Sequence, residues 1–126
     1  MVSEKKPATH YKELLVWQKA FALATDVYLL SAKFPAEERY GLVSQMRRAA
    51  ISVPSNIAEG QARRTTGEFI QFVSNAEGSA AELETQLLLS VEFGYCVPSK
   101  AQPVLATLTE VRKMLGSLRR KLVARC

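Results

Sequence analysis

Apolar residues recur every three or four positions in four separate stretches of the chain, and this spacing constrains the fold more than any other feature. Spacing of this kind places the apolar side chains along one side of an α-helix. The clearest stretch comprises Val104, Leu108, Val111, Leu115, Leu118 and Leu122. No stretch alternates apolar and polar residues with a period of two, and Asn-Gly hairpin dipeptides are absent, so strands are not expected. The pattern predicts an all-α protein.

The four predicted helices cover about residues 13–33, 37–64, 66–93 and 99 onward. Phe34-Pro35 ends the first helix, because the residue before a proline is pushed out of the α-helical region. Gly94 ends the third, and Ser99 is the expected cap of the fourth. Long helices with short connections predict an antiparallel up-down-up-down four-helix bundle. Residues 1–10 are expected to form a flexible N-terminal segment and residues 11–126 the bundle domain.

The first predicted helix carries two apolar stripes, which leave only about a third of its circumference polar. One stripe comprises Leu14, Trp17, Phe21, Ala24 and Tyr28. The other comprises Val16, Ala20, Leu23, Val27 and Leu30. One stripe suffices for a bundle core. The second either extends the same core or forms an interface, and the wide apolar arc favours self-association.

Pro54 lies inside the second predicted helix, where it removes the amide that would bond the Ala50 carbonyl. The helix either ends and restarts with Ser52 as its cap or continues with a kink, and we favour the kinked continuous helix. Thr66 begins the third helix without a capping box, because Phe69 stands where the glutamate would be.

Small residues surround Pro54 and recur in the middle of the third helix, so the two helices are expected to approach closely. The predicted structural motif comprises Pro54, Asn56, Glu59, Gly60 and Gly78. Asn56 and Glu59 are expected to satisfy backbone groups freed by the kink, or Glu59 to pair with Arg63 four residues later. An enzyme that acts through Glu59 is a further alternative.

Residues for catalysis or metal binding are scarce in the sequence. His10 is the single histidine and precedes the first helix, while Cys96 and Cys126 form no CxxC pair. No glycine-rich phosphate loop is present. We therefore expect no enzymatic activity, no cofactor and no metal site. The polar start and the lack of any run of about 18 apolar residues predict a cytoplasmic protein without a membrane association.

Basic residues exceed acidic ones by five, which permits a polyanionic partner. Arginine binds phosphate through paired hydrogen bonds and tolerates partial burial. The candidate nucleic-acid-binding residues are Arg47, Arg48, Arg63, Arg64, Arg119, Arg120 and Lys121. Arg47 and Arg48 are the two in this set for which a structural role is the strongest alternative.

Charge is also unevenly distributed along the chain. Residues 66–95 contain five glutamates and no Lys or Arg, whereas residues 112–126 contain six basic residues and no acid. Either adjacent helices neutralise each other, or the end of the chain presents an exposed basic surface.

Five segments carry a resemblance to a known family: Leu15-Val16-Trp17-Gln18, Phe34-Pro35, residues 45–60, residues 78–84 and Phe93-Gly94-Tyr95. They resemble the four-helix-bundle family whose members include the 23S rRNA intervening-sequence proteins, over about residues 11–123. The resemblance implies an antiparallel bundle that assembles as a ring-like homopentamer. Some relatives are encoded within insertions in large-subunit rRNA genes. A related accessory protein of diversity-generating retroelements binds nucleic acid and reverse transcriptase through a basic surface. No catalytic residue is implied.

These observations predict a non-enzymatic, oligomeric helical bundle that binds RNA or DNA phosphates. Several copies in one assembly would raise the avidity of a patch that carries only a few charges. The alternative is a protein-interaction module that docks a nucleic-acid enzyme such as a reverse transcriptase through apolar grooves.

Overall fold

Four long α-helices make up most of the chain in a computed structural model, which describes residues 10–126. They are α1 (Leu15–Ser31), α2 (Leu42–Gln61), α3 (Thr66–Glu92) and α4 (Pro98–Arg125). Short 3-10 turns, Tyr11–Glu13 and Ala36–Glu38, precede α1 and α2. Residues 10–126 contain no strand, which confirms the all-α prediction with four helices. Apart from His10, the predicted flexible segment 1–10 lies outside the described residues.

Each helix packs against the helix before it and the helix after it, and α1 also packs against α4. Burial of the apolar stripes between the four helices excludes water from one continuous core, which is the main driving force for this arrangement. The largest fully buried apolar side chains are Leu23, Met46, Ile57, Leu83, Leu87, Leu108 and Leu115.

The two stripes of α1 have different roles. Val16, Ala20, Leu23 and Val27 are buried in the core. In the other stripe, Phe21 is 56% exposed and Tyr28 is 41% exposed. The helix is therefore apolar on its outer side as well as on its inner side.

The α2–α3 packing depends on a small residue at Gly60. A Cβ atom at this position would lie 2.7 Å from Phe72 Cβ and 2.8 Å from Phe69 Cδ1, closer than real side chains approach. Ser52 of α2 also hydrogen bonds to Ser79 of α3. Gly78 differs from the prediction, because it is exposed and a Cβ there would meet no atom within 4 Å.

Two helix caps differ from those predicted, and α2 begins at Leu42, after the 3-10 turn Ala36–Glu38, instead of near residue 37. The N-cap of α3 is Thr65, whose Oγ1 accepts from the Glu68 amide at 3.1 Å while Glu68 Oε1 accepts from the Thr65 amide at 3.3 Å. A complete capping box is therefore present, one residue before the expected position. For α4, Val97 is the N-cap and Pro98 occupies the first turn, so Ser99 does not cap the helix. Proline fits there because its missing amide would have no partner within the helix.

Thr65→Ala is expected to lower the free energy of unfolding by about 1 kcal/mol, because it removes the side-chain acceptor at the start of α3. Chemical denaturation monitored by circular dichroism measures the change. The matched control is Thr66→Ala, which leaves the cap intact and should alter stability by no more than about 0.5 kcal/mol. Equal losses from both variants would contradict the role given to Thr65.

A hydrogen bond joins the two connections at one end of the helices. Tyr95, between α3 and α4, donates its hydroxyl to Glu38 Oε2 at 2.7 Å. The other carboxylate oxygen of Glu38 accepts from the Leu42 amide at 3.2 Å, at the start of α2. These bonds, the Tyr95 bond foremost, lower the pKa of Glu38 below its ordinary value. The same bond to Glu38 raises the pKa of Tyr95.

The stabilising effect of this hydrogen bond is expected to depend on pH at both extremes. The lowered pKa of Glu38 stabilises the fold above the ordinary value of 4.5, and the effect is lost as pH falls through the lowered value. The raised pKa of Tyr95 stabilises the fold below 10.0, and the effect is lost as pH rises through the raised value. Tyr95→Phe should therefore lower the thermal midpoint between these limits and have little effect beyond them. A difference in thermal midpoint between Tyr95→Phe and wild type that is the same at every pH would contradict this assignment.

Candidate functional site

The basic stretch of α4 lies partly against the acidic helix α3. Arg119 Nε donates to Glu77 Oε1 at 2.8 Å, and Arg112 pairs with Glu84. For these two arginines, adjacent helices neutralise each other, as one of the two interpretations of the charge pattern predicted. Arg119 is therefore already occupied by an intramolecular partner.

The remaining cations of this stretch point to solvent. Lys113, Arg120, Lys121 and Arg125 are exposed, and none of them forms an ion pair with another residue in the described part of the chain. The Arg120 guanidinium lies alongside Gly116, where a Cβ would be 3.2 Å from its Nη1. Four positive charges without an ion pair therefore lie on the second half of α4, and three of them, Arg120, Lys121 and Arg125, lie in its last turns.

Arg63 and Arg64 lie directly after α2. Arg63 Nη2 is 3.6 Å from Glu59 Oε2, and its guanidinium lies 4.7 Å from the centre of the Phe72 ring. Arg64 is exposed and has no ion pair among residues 10–126. Only Arg64 of this doublet carries a charge that its neighbours do not balance.

Arg47 is held by α1. Its Nε donates to Ser31 Oγ at 2.9 Å, its Nη2 donates to the Tyr28 carbonyl at 3.1 Å, and its guanidinium lies 4.3 Å from the Tyr28 ring centre. Arg48 is exposed beside a polar groove of about 350 Å³ between α2 and α3. Arg47 thus joins two helices, whereas Arg48 is open to solvent.

The α2 residues of the predicted structural motif have separate roles in the structure. Pro54 lies inside a helix that continues from Leu42 to Gln61 and does not restart at Ser52. Asn56 Nδ2 donates to the Ser52 carbonyl at 2.8 Å, and not to the Ala50 carbonyl that Pro54 leaves without its usual donor. Glu59 is exposed and pairs with Arg63, so the second of the two roles predicted for it applies.

Two apolar grooves flank α1, and sequence patterns did not identify either of them. The first, of about 510 Å³, lies between α1 and α2 and has aromatic walls of Trp17, Phe21 and Tyr28. The second, of about 660 Å³, lies between α1 and α4. Each is built from two helices, so the pattern within one helix cannot show it.

Cys96 is buried in the second groove, and burial raises the pKa of its thiol, so the nucleophilic thiolate is disfavoured. Cys126 is exposed. Within residues 10–126, no cluster of three or more His, Cys, Asp or Glu side chains could hold a metal ion. Among the helices described, none is long and apolar enough to span a membrane.

Comparison with known proteins gives one family and a similar fold. Residues 12–117 match the family described as 23S rRNA-intervening sequence protein. The fold is similar to the crystal structure of a protein of unknown function from the S23 ribosomal protein family of Bacteroides thetaiotaomicron, with a TM-score of 0.76 and 22% sequence identity. That similarity covers 83% of this chain and 98% of the other. No curated protein is significantly similar in sequence.

Proposed function

The chain belongs to the 23S rRNA-intervening sequence protein family, and we propose that it is a non-enzymatic, homo-oligomeric bundle that binds RNA or DNA phosphates through one basic end. The observation that carries the proposal is a group of four exposed cations at the ends of α2 and α4, none of which forms an ion pair with a described acid. This group, the basic end, comprises Arg64, Arg120, Lys121 and Arg125. A cytoplasmic location, as predicted from the sequence, is part of the same proposal.

The proposal includes the up-down-up-down topology, with α2 kinked at Pro54. Contacts between neighbouring helices support opposite directions. Glu77 pairs with Arg119, whereas the later Glu84 pairs with the earlier Arg112. Between α2 and α3, Ser52 contacts Ser79 and the later Gly60 lies against the earlier Phe72. Arg47, near the start of α2, contacts Tyr28, near the end of α1.

In this topology α2 and α4 both end at the same end of the bundle, so Arg64 and the final turns of α4 belong to one end of the molecule. Three acids of the helices that carry these cations, or of the neighbouring α3, are engaged elsewhere. Glu59 pairs with Arg63, Glu68 completes the α3 capping box, and Glu77 holds Arg119. Phosphate groups would therefore meet positive charge without competition from these carboxylates.

The outer side of α1 supports the oligomer. Leu15, Phe21, Tyr28 and Leu29 of α1 are all exposed, so a single helix presents several large apolar side chains to solvent. Contact with further copies would cover these side chains. The family resemblance favours five subunits, and five copies of the basic end would act together on one nucleic acid.

Neutralising Arg120 and Lys121 together is expected to weaken RNA binding. Each lost phosphate contact reduces the magnitude of the slope of log affinity against log salt by about 0.7 for a single strand, so Arg120→Gln with Lys121→Gln should reduce it by about 1.4. Fluorescence anisotropy with a labelled single-stranded RNA over a salt series measures both affinity and slope. Arg119 is left unchanged because its loss would leave Glu77 unpaired.

The matched control is Arg39→Glu, which changes the net charge by the same two units at an exposed residue before α2. It should leave the salt slope close to that of wild type, because Arg39 is remote from the basic end in the proposed topology. Unchanged binding by the double variant, or an equal loss in the control, would remove the basic end as the binding surface.

The aromatic groove between α1 and α2 favours a second candidate function, in which the protein docks a nucleic-acid enzyme such as a reverse transcriptase. Its walls of Trp17, Phe21 and Tyr28 offer the large apolar surface typical of protein interfaces. Purification of the protein with a partner enzyme but without nucleic acid would favour this alternative. Phe21→Ala should then release the enzyme, whereas the Arg120 and Lys121 variant should retain it.

A further inference from the structure

The groove between α1 and α4 has an apolar floor and charged edges. Leu30, Phe34 and Val104 form part of the floor, close to the connection between α3 and α4. Lys33, just after α1, and Lys100 of α4 line its edges, together with Asp26. The two ammonium groups and one carboxylate give the groove an excess of one positive charge.

The last turns of α3 present an apolar ridge with one carboxylate. Leu88, Leu89 and Phe93 are exposed, and Glu92 is exposed among them. Glu92 follows Leu88 by four residues and Leu89 by three, so these side chains lie on one face of the helix. The opposite face carries Leu83, Leu87 and Ser90, which are buried in the core. The ridge therefore points away from the bundle.

Groove and ridge are complementary in both polarity and charge. An apolar ridge with one negative charge matches an apolar groove with one excess positive charge. No ion pair within residues 10–126 engages Lys33, Lys100 or Glu92. The charges of both surfaces are thus available for a contact outside the molecule.

One molecule cannot bring its own ridge into its own groove. Helices α1 and α3 make no contact with each other, because each packs only against α2 and α4. The ridge on the outer side of α3 and the groove beside α1 are therefore separate surfaces, which adjoin where the Phe93 ring lies 5.8 Å from the ring of Tyr95. A contact between two different patches is head-to-tail, and it generates a closed ring or an open chain of copies.

We infer that the groove between α1 and α4 receives the α3 ridge of a second copy of this chain. The inference rests on the self-association in the proposed function and assigns the surfaces that mediate it. Lys33 and Lys100 of one protomer then face Glu92 of its partner. In the proposed topology both surfaces lie at the same end of the bundle, opposite the basic end. Neighbouring protomers can therefore stand side by side with their basic ends aligned.

A charge exchange tests this contact. Lys33→Glu turns the excess charge of the groove from positive to negative, and Glu92→Lys turns the charge of the ridge from negative to positive. Each single variant places like charges across the interface and should raise the apparent dissociation constant of the assembly about tenfold or more. The double variant restores opposite charges and keeps the net charge of +5, so it should assemble like wild type. Light scattering over a concentration series measures assembly, and circular dichroism checks that each variant is folded.

Lys113→Glu is the matched control for Lys33→Glu, because it makes the same charge change on the exposed side of α4 that faces α3. It should leave assembly unchanged. If wild type assembles but the single variants assemble equally well, or the double variant fails to recover, the groove–ridge contact is wrong while self-association stands. If wild type is a monomer throughout, the proposed self-association fails as well. RNA binding, measured separately by anisotropy, tells whether the basic end still functions.

Discussion

Gly60→Ala is expected to lower the free energy of unfolding by about 1–3 kcal/mol, the usual cost of forcing extra volume into a packed core. A glycine-to-alanine substitution inside a helix normally raises the free energy of unfolding, because alanine is more favourable there than glycine by about 1 kcal/mol. The loss expected at Gly60 has the opposite sign. The new methyl group would lie 2.7 Å from Phe72 Cβ and 2.8 Å from Phe69 Cδ1. Phe72 Cβ is fixed to the backbone of α3, so the clash is removed only if α2 and α3 move apart.

Gly78→Ala is the matched control for this prediction. Gly78 lies in the middle of α3, and its added Cβ would meet no atom within 4 Å. Without a clash, only the helix propensity remains, so the free energy of unfolding should rise by about 0.5–1 kcal/mol. Urea denaturation of wild type, Gly60→Ala and Gly78→Ala measures both changes in the free energy of unfolding. Stabilisation by both substitutions would show that α2 and α3 do not pack closely at Gly60.

Leu23→Ala is expected to lower the free energy of unfolding by about 2–5 kcal/mol, which is the largest effect predicted for this protein. Leu23 is fully buried in the stripe of α1 that faces the other helices. Truncation removes apolar contact from the core and leaves a cavity that the surrounding side chains fill only in part.

Leu15→Ala provides the same chemical change on the same helix, at a residue that is 57% exposed. At a protein concentration low enough to keep copies apart, it should alter the stability of the folded chain by no more than about 0.5 kcal/mol. Protein concentration must be equal in both experiments, because association of copies adds to apparent stability. Equal losses in the free energy of unfolding from Leu23→Ala and Leu15→Ala would mean that the outer side of α1 is as deeply buried as the inner side. The chain would then unfold from an assembly that does not dissociate first.

The helices themselves could be predicted because their signals are local. Apolar spacing, Phe34-Pro35 and Gly94 placed the four helices within a few residues of their observed bounds. The exceptions lie at helix ends. Thr65 caps α3 in place of Thr66, and α2 begins at Leu42, after a 3-10 turn whose Glu38 bonds the Leu42 amide. These ends depend on side-chain hydrogen bonds that a neighbouring residue could equally well make, so their positions are difficult to predict.

The candidate site could be predicted only as a set of residues. Arginine doublets mark Arg47, Arg63 and Arg119, but nothing near them in sequence tells whether the charge is available. Arg47 is bound by Ser31 and Tyr28, and Arg119 by Glu77, a residue on another helix. The open charges at Arg64, Arg120 and Lys121 stand out only once these pairs are known.

The four helices, and the two apolar sides of α1, follow from the order of residues along each helix and are therefore visible in the amino-acid sequence. The sequence does not show which stripe of α1 is buried, which cations are neutralised, or where the lysine-edged groove and the apolar ridge form. Periodicity specifies only angles around a single helix axis. Burial and ion pairing depend on the rotation of each helix relative to its neighbours, which the packing of all four establishes together.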